Sequence, residues 1–420
     1  MKNNLTQVML KNGMKVMLKE IHTAPIISSW IWYRVGSRDE STGKTGISHW
    51  TEHMMFKGTK KFPANILDKT ISRVGGRWNA ATSRDSTRYF ETMPADKIDL
   101  ALRLESDRMR NSIFNEKEVA SERTVIVSER EGYENEPMFR LSELMQNAAF
   151  RVHSYHHEII GDMADLRTIT RDDLYAHYRT YYVPNNAILT IAGDFDAKTL
   201  LKRIKELFES IPKGKVPARL ARPEPEQKGE IRLTLEGPGE TTFTQIAYHF
   251  PNATHPDYFP LQVLDSLLNG ANGLSNKTSR LYRALVDGGL TVDASGGGES
   301  TMDPYLYRIT LTHHPERKPE DALAVLDAEI RKLQEKPVPA RDIARAVKQA
   351  RAVFAYGSEN ITHQAFWMGY TSIFADYSWY TTYLDKLARV TPRDVQRVAQ
   401  KYFQHSNRVI GTYLPQGKGV

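Results

Sequence analysis

His49, Glu52 and His53 stand in the run His49-Trp50-Thr51-Glu52-His53. On a helix, residues at i and i+4 share a face. Both imidazoles could therefore hold one Zn²⁺, with nitrogen at about 2.0–2.1 Å from the ion. Glu52 projects beside the same face, where a carboxylate can take a proton from metal-bound water. The order is the inverse of His-Glu-x-x-His. With 13 histidines in 420 residues, a chance match is expected only on the order of a few hundredths of a time. The bland alternative is a set of polar residues on the outer face of an amphipathic helix.

Two histidines leave a catalytic zinc one protein ligand short, because such sites hold three protein ligands and a water. The chain has no cysteine, so the third ligand must be His, Asp or Glu. Between 116 and 134 there are glutamates at 116, 118, 122, 129, 131 and 134, most of them expected on a solvated helix face. Glu122 and Glu129 are two helical turns apart and share a stripe with Val119 and Ile126 that points towards a core. A carboxylate on such a stripe is costly unless it is paired or bound to metal.

Several elements must position these groups. Residues 14–18, after the turn Lys11-Asn12-Gly13, and 26–35 read as strands. Residues 43–46 form a loop, and the motif helix runs over 47–56, ended by Gly58 with Pro63 beyond. Gly75-Gly76 break the chain before 78–92, whose alternation predicts one strand. Helical periodicity covers 95–110 and 116–133. The stretch 211–228, with Pro212, Pro217, Pro223 and Pro225 among charged residues, reads as a linker before a new strand at 231–235.

The chain also repeats itself. Thr170-Arg171-Asp172-Asp173-Leu174, followed by Tyr181-Tyr182 and Asn185-Asn186, resembles Thr391-Pro392-Arg393-Asp394-Val395, followed by Tyr402-Phe403 and Ser406-Asn407. Each copy reads as helix, polar turn and strand, and the offset is constant and near half the chain. Duplication predicts two similar α+β domains, of which only the first carries the zinc motif. The expected boundaries are 1–215 for the zinc-binding domain, 216–230 for a linker and 231–420 for the homologous, non-catalytic domain.

Composition agrees with a soluble globular protein, at 40% hydrophobic and 25% charged residues. No apolar run approaches the ~18 residues needed to span a bilayer. The N-terminus is polar and has no apolar signal core, so the expected location is cytoplasmic, or periplasmic if a signal was removed before residue 1. The net charge of +7 is spread along the chain without a basic block, which argues against a nucleic-acid partner.

The residues resemble the pitrilysin/insulinase zinc metallopeptidases, the inverzincins, and within them the short two-domain branch of the mitochondrial processing peptidase subunits and their bacterial relatives. The likeness covers nearly the whole chain. Gly46-Ile-Ser-His49-Trp-Thr-Glu52-His53-Met-Met-Phe-Lys-Gly58-Thr59 resembles the family's motif helix, and Gly75-Gly76-Arg-Trp-Asn79-Ala80-Ala-Thr82-Ser-Arg-Asp85 the strand after it. Glu122 and Glu129 resemble its distal glutamate pair, and Tyr181-Tyr182-Val-Pro-Asn185-Asn186 a structural motif near the end of the first domain. The resemblance implies His49, His53 and Glu129 as zinc ligands, Glu52 as general base, and Glu122 as a carboxylate that orients a ligand. It also implies that Asn79 and Ala80 lie on an edge strand to which substrate peptide adds. The implied fold is α+β, two homologous domains, each a mainly antiparallel sheet packed with helices.

One departure stands out. Single-chain active members of the family carry an Arg and a Tyr in the second half that bind the substrate carbonyl. Here residues 279–285 match the start of that region, but, with one residue deleted, Val286 and Val292 stand where the pair belongs. Valine donates no hydrogen bond. Either Arg283 or Tyr282 substitutes and the chain acts alone or as a homodimer, or a homologous partner subunit supplies the pair. The expectation adopted is the heterodimer. Residues 295–300, Ser-Gly-Gly-Gly-Glu-Ser, are expected to form a mobile loop. The function expected is that of a zinc metalloendopeptidase subunit cleaving unfolded peptides inside a chamber; the alternative is a non-catalytic scaffold or peptide-binding subunit.

Overall fold

A computed structural model describes residues 5–219, 222–271 and 277–416. Residues 1–4 and residues 220–221 of the expected linker lie outside the described residues. The chain forms two compact units, each discontinuous in sequence. One comprises Met1–Arg130, His157–Ala221 and Gly357–Tyr380; the other comprises Glu131–His156, Arg222–Tyr356 and Thr381–Val420.

The first unit is built on six strands: β1 (Leu5–Met9), β2 (Lys15–Glu20), β3 (Ile26–Tyr33), β4 (Arg77–Thr82), β5 (Thr87–Pro94) and β6 (Ala187–Gly193). Their order is β1-β2-β6-β3-β5-β4. Only β2 and β6 run parallel; the remaining neighbours are antiparallel. In β3, Ile-Ile-Ser-Ser-Trp-Ile-Trp-Tyr shows no alternation because both faces are covered. The helix Ile361–Phe374 lies on one face, with Phe366 against Trp30 and Trp32 at ring-centroid distances of 5.3 Å each. The helix Ile98–Asn111 reaches β3 and β5 as well.

The alternation across 78–92 is not one strand but a hairpin. Ser83 donates from its backbone N to Ser86 O at 2.8 Å and turns the chain between β4 and β5. Alternation survives the turn in β5, where buried and half-buried residues alternate, so periodicity alone cannot reveal the break.

The second unit holds β7 (Ile231–Pro238), β8 (Phe243–Phe250), β9 (Thr291–Gly298), β10 (Tyr305–His313) and β11 (Arg408–Gln416), in the order β7-β11-β8-β10-β9. Again only the first pair, β7 and β11, is parallel. Without β1, the first sheet has the same order and the same single parallel pair. The helix Pro137–Ala149 covers one face, placing Leu141, Met145 and Ala149 against Ala247, Leu306 and Val409. The helices Tyr258–Asn269, Pro319–Glu335 and Pro392–Tyr402 supply the larger core on the other.

The glycine run expected as a mobile loop is in fact largely strand. Ser295 pairs with Thr310 and Gly298 with Tyr307 along β10. Missing side chains reduce packing but leave the backbone ladder intact.

The repeat is visible bond for bond. Thr170 and Asp173 form a reciprocal capping box at the start of Arg171–Tyr181, as do Thr391 and Asp394 at the start of Pro392–Tyr402. Asn186 Nδ2 then donates to Tyr181 O at 2.9 Å, and Asn407 Nδ2 to Tyr402 O at 2.8 Å. Each asparagine amide thereby closes the exit of a helix into β6 or β11. Among the described residues no helix is long and apolar enough to cross a membrane.

Candidate metal centre

The motif helix, Ile47–Met54, packs between β4 and the helix Arg171–Tyr181. Its start is held by Glu40, a residue to which the sequence reading gave no role. Glu40 Oε2 accepts from Gly46 N and Oε1 from Ser48 N, both at 2.8 Å, so one carboxylate satisfies two donors at the helix N-terminus. His157 Nε2 lies 2.9 Å from Glu40 Oε2. Gly46 sits at φ 84°, and a Cβ there would fall 2.2 Å from Ile160 O. Glycine is the residue that accepts both constraints.

The other half of the centre lies on the helix Glu116–Glu134. Arg123 fastens it to the motif helix: its guanidinium stacks over Trp50 at 4.8 Å and donates to Leu166 O and Ile169 O at 2.6 and 2.7 Å.

Between these elements, one ligand-type atom from each of His49, His53 and Glu129 lies within 4.8 Å of the others. The two imidazoles meet edge to face at 4.6 Å between centroids. His53 Nδ1 is 2.8 Å from Glu122 Oε1, which leaves Nε2 facing Glu129, at 3.8 Å from Oε2. Glu122 is buried and also pairs with Lys57. It therefore touches His53 and Lys57 and orients a ring, as a carboxylate behind a metal-binding histidine does.

The electrostatics suit a dication. Burial, with His53 beside it, draws the His49 pKa down to about 3, so the ring is neutral at pH 7 and offers a lone pair. His49 Nδ1 is buried without a hydrogen-bond partner among the described residues. His53 behaves oppositely. Burial opposes its charge, but the Glu122 hydrogen bond and the charges of Glu52, Glu122 and Glu129 raise its pKa. Three carboxylates thus converge on one imidazole and favour a cation there. Burial raises the Glu52 pKa, against the hydrogen bond donated by Thr82 Oγ1 to its Oε2. A carboxylate so poised is suited to accepting a proton. The donor set fits zinc: two neutral-capable imidazoles, one carboxylate, and no sulfur.

Asn79 and Ala80 lie on β4, the edge strand beside the motif helix, paired with Phe90 and Tyr89 of β5. Ala80 N donates to Asn79 Oδ1 at 2.9 Å. In the second unit, Val286 is half-buried against the core and Val292 is 54% exposed on β9. Tyr282 and Arg283 belong to a short π-helical turn, Tyr282–Val286, with Arg283 exposed. Glu40, Thr82 and Lys57 are the supporting residues that sequence reasoning missed. Thr82 and Lys57 fall inside recognisable motif stretches, whereas Glu40 carries only the weak signal of an acidic residue shortly before a helix start.

Two sheets of one strand order, with an inverse His-x-x-Glu-His centre on only the first, define the class: a duplicated α+β protein built like the zinc peptidases. Comparison with known proteins gives the family. Residues 15–163 match Insulinase (Peptidase family M16), and residues 168–350 match the Peptidase M16 inactive domain. The chain is 30% identical to the zinc protease PqqE of Helicobacter pylori, over 94% of this chain and 90% of that protein. It is 26% identical to the mitochondrial-processing peptidase subunit beta of Lentinula edodes, over 94% of this chain and 86% of the other. The crystal structure of a protease from Helicobacter pylori superposes with a TM-score of 0.92 at 28% identity, covering 98% of this chain and 99% of that one. The chain belongs to the insulinase (M16) family of zinc proteases.

Proposed function

We propose that this chain is a zinc-dependent endopeptidase subunit that hydrolyses unfolded peptides. The observation that carries the reading is the meeting of His49, His53 and Glu129 within 4.8 Å, with Glu52 on the same helix as both imidazoles. Bound zinc would polarise the scissile carbonyl and make a water molecule acidic near neutral pH. His49, His53 and Glu129 would hold it, and Glu122 would keep His53 turned towards it. Thr82 engages Glu52 Oε2, leaving Oε1 to take the proton of the attacking water and return it to the leaving amine. Substrate would add to the open edge of β4 by main-chain hydrogen bonds, and the bond from Ala80 N to Asn79 Oδ1 would give way to one with the peptide.

A quenched fluorescent peptide and elemental analysis test the reading together. The dialysed chain should retain about one equivalent of zinc, and His49→Ala should lose most of it. Glu52→Gln should keep the metal and lose hydrolysis by at least about 10²-fold. Undiminished zinc in His49→Ala, or near-normal turnover in Glu52→Gln, would overturn the assignment.

A second reading is favoured by Val286 and Val292: the chain binds zinc but needs a homologous partner subunit whose Arg and Tyr complete the site. The match of residues 168–350 to an inactive domain supports a second half that contributes no chemistry of its own.

A further inference from the structure

Four arginines of the second unit gather at a place that none of the proposed zinc-centre residues lines. Arg280 and Arg283 lie at the π-helical turn, and Arg341 and Arg345 lie one turn apart on the helix Ala340–Glu359. With Thr278 and Asp342 they line a cavity of about 480 Å³. That is within the roughly 300–1,000 Å³ of ordinary ligand pockets.

Their charges are poorly met. Arg280 approaches Glu329 only to 3.6 Å, and Glu329 also serves Lys332. Arg345 approaches Asp342 to 3.6 Å. Arg283 and Arg341 are exposed and have no ion pair among the described residues. A guanidinium stays protonated at any pH a folded protein tolerates. Repulsion among the four cannot be relieved by losing a proton, so it favours a bound anion.

Guanidinium forks match the paired oxygens of a carboxylate or a phosphate. The rest of the lining decides between them. Asp342, 3.6 Å from Arg345, repels an oxyanion but can accept from an N–H, and the Thr278 hydroxyl can donate or accept. A peptide brings amide N–H groups alongside its carboxylates, whereas a phosphate offers almost only acceptors. We propose that this cavity binds an acidic segment of a polypeptide, with Asp or Glu carboxylates on the arginines and backbone amides towards Asp342. The site does not depend on the peptidase reading, since no zinc ligand lines it.

The test uses the full-length chain carrying Glu52→Gln, so that the probe is not consumed. Binding of fluorescein-labelled hexaglutamate and hexaglutamine is followed by fluorescence anisotropy at low and high salt. Hexaglutamate should bind, hexaglutamine should not, and added salt should weaken the complex. Arg283→Ala with Arg341→Ala should weaken it at least about tenfold. Neither residue supports an internal ion pair, so circular dichroism of this variant should be unchanged. Lys117→Ala with Lys198→Ala, the same change of charge in the first unit, should shift affinity less than about twofold. Equal binding of the two peptides, no binding of hexaglutamate, or an equal loss in the lysine variant would overturn the proposal. Tripolyphosphate binding with hexaglutamate excluded would also overturn it and mark a phosphate site.

Discussion

Glu122 and Glu129 differ by environment more than by chemistry. Glu122 is buried, with its oxygens engaged by His53 and Lys57, and burial is outweighed by those two bonds so that its carboxyl titrates below its ordinary value. Glu129 is only half-buried and lies with the ligand atoms of both histidines. Glu129→Gln should therefore weaken zinc binding more than Glu122→Gln, although loss of the supporting carboxylate should still cost about 10–100-fold. Competition with a chelator measures both, and the reverse order would mean that the two glutamates exchange roles. Lys57 holds Glu122 from behind, so Lys57→Met should move zinc affinity in the same direction as Glu122→Gln and by less.

At the scale of elements, the duplicated helix starts make a paired prediction. Thr170 and Thr391 close the same capping box. Thr170→Ala and Thr391→Ala should each cost about 1 kcal/mol by urea unfolding. A loss confined to one copy would show that the two boxes are not energetic equivalents. The helix Ile361–Phe374 offers a harsher test. A Cβ on Gly369 would stand 1.9 Å from Trp32 Nε1, in a layer where Trp32 is fully buried. Gly369→Ala should destabilise the first unit by about 1–3 kcal/mol through overpacking. A change below about 0.5 kcal/mol would mean that the helix and β3 can separate freely.

For the whole molecule, the issue is what completes the site. Val286 is half-buried against the core and Val292 is exposed; both side chains are hydrocarbon, so neither can donate to a developing oxyanion. Losing one such donor costs roughly 10²–10³ in turnover. If a homologous subunit supplies the pair, as proposed, the isolated chain should be a poor peptidase and adding that subunit should raise turnover without changing zinc content. Replacing that subunit's Arg by Ala should remove the gain. Full activity of this chain alone would transfer the role to Arg283 or Tyr282.

Much of this protein was legible in its residues, where function is local. The inverse histidine motif sits on one short helix, so spacing alone places His49, Glu52 and His53 on neighbouring faces. The spacing of Glu122 and Glu129, two turns apart on a core-facing stripe, singles them out in the same way. The repeat of Thr, Asp and Asn corresponds to caps whose bonds span only a few residues. Other features needed tertiary structure. The 78–92 run alternates on both sides of its turn, and only pairing of β4 with β5 reveals the hairpin. The glycines of β9 carry no strand signal and are held by β10. Glu40 reaches its partners across a loop and through His157, more than a hundred residues away. The sequence repeat divides the chain into successive halves, but each sheet is covered by one helix from the opposite half: Ile361–Phe374 on the first, Pro137–Ala149 on the second. An amphipathic pattern says that a helix must bury a face; which sheet receives it is decided only when the whole chain packs.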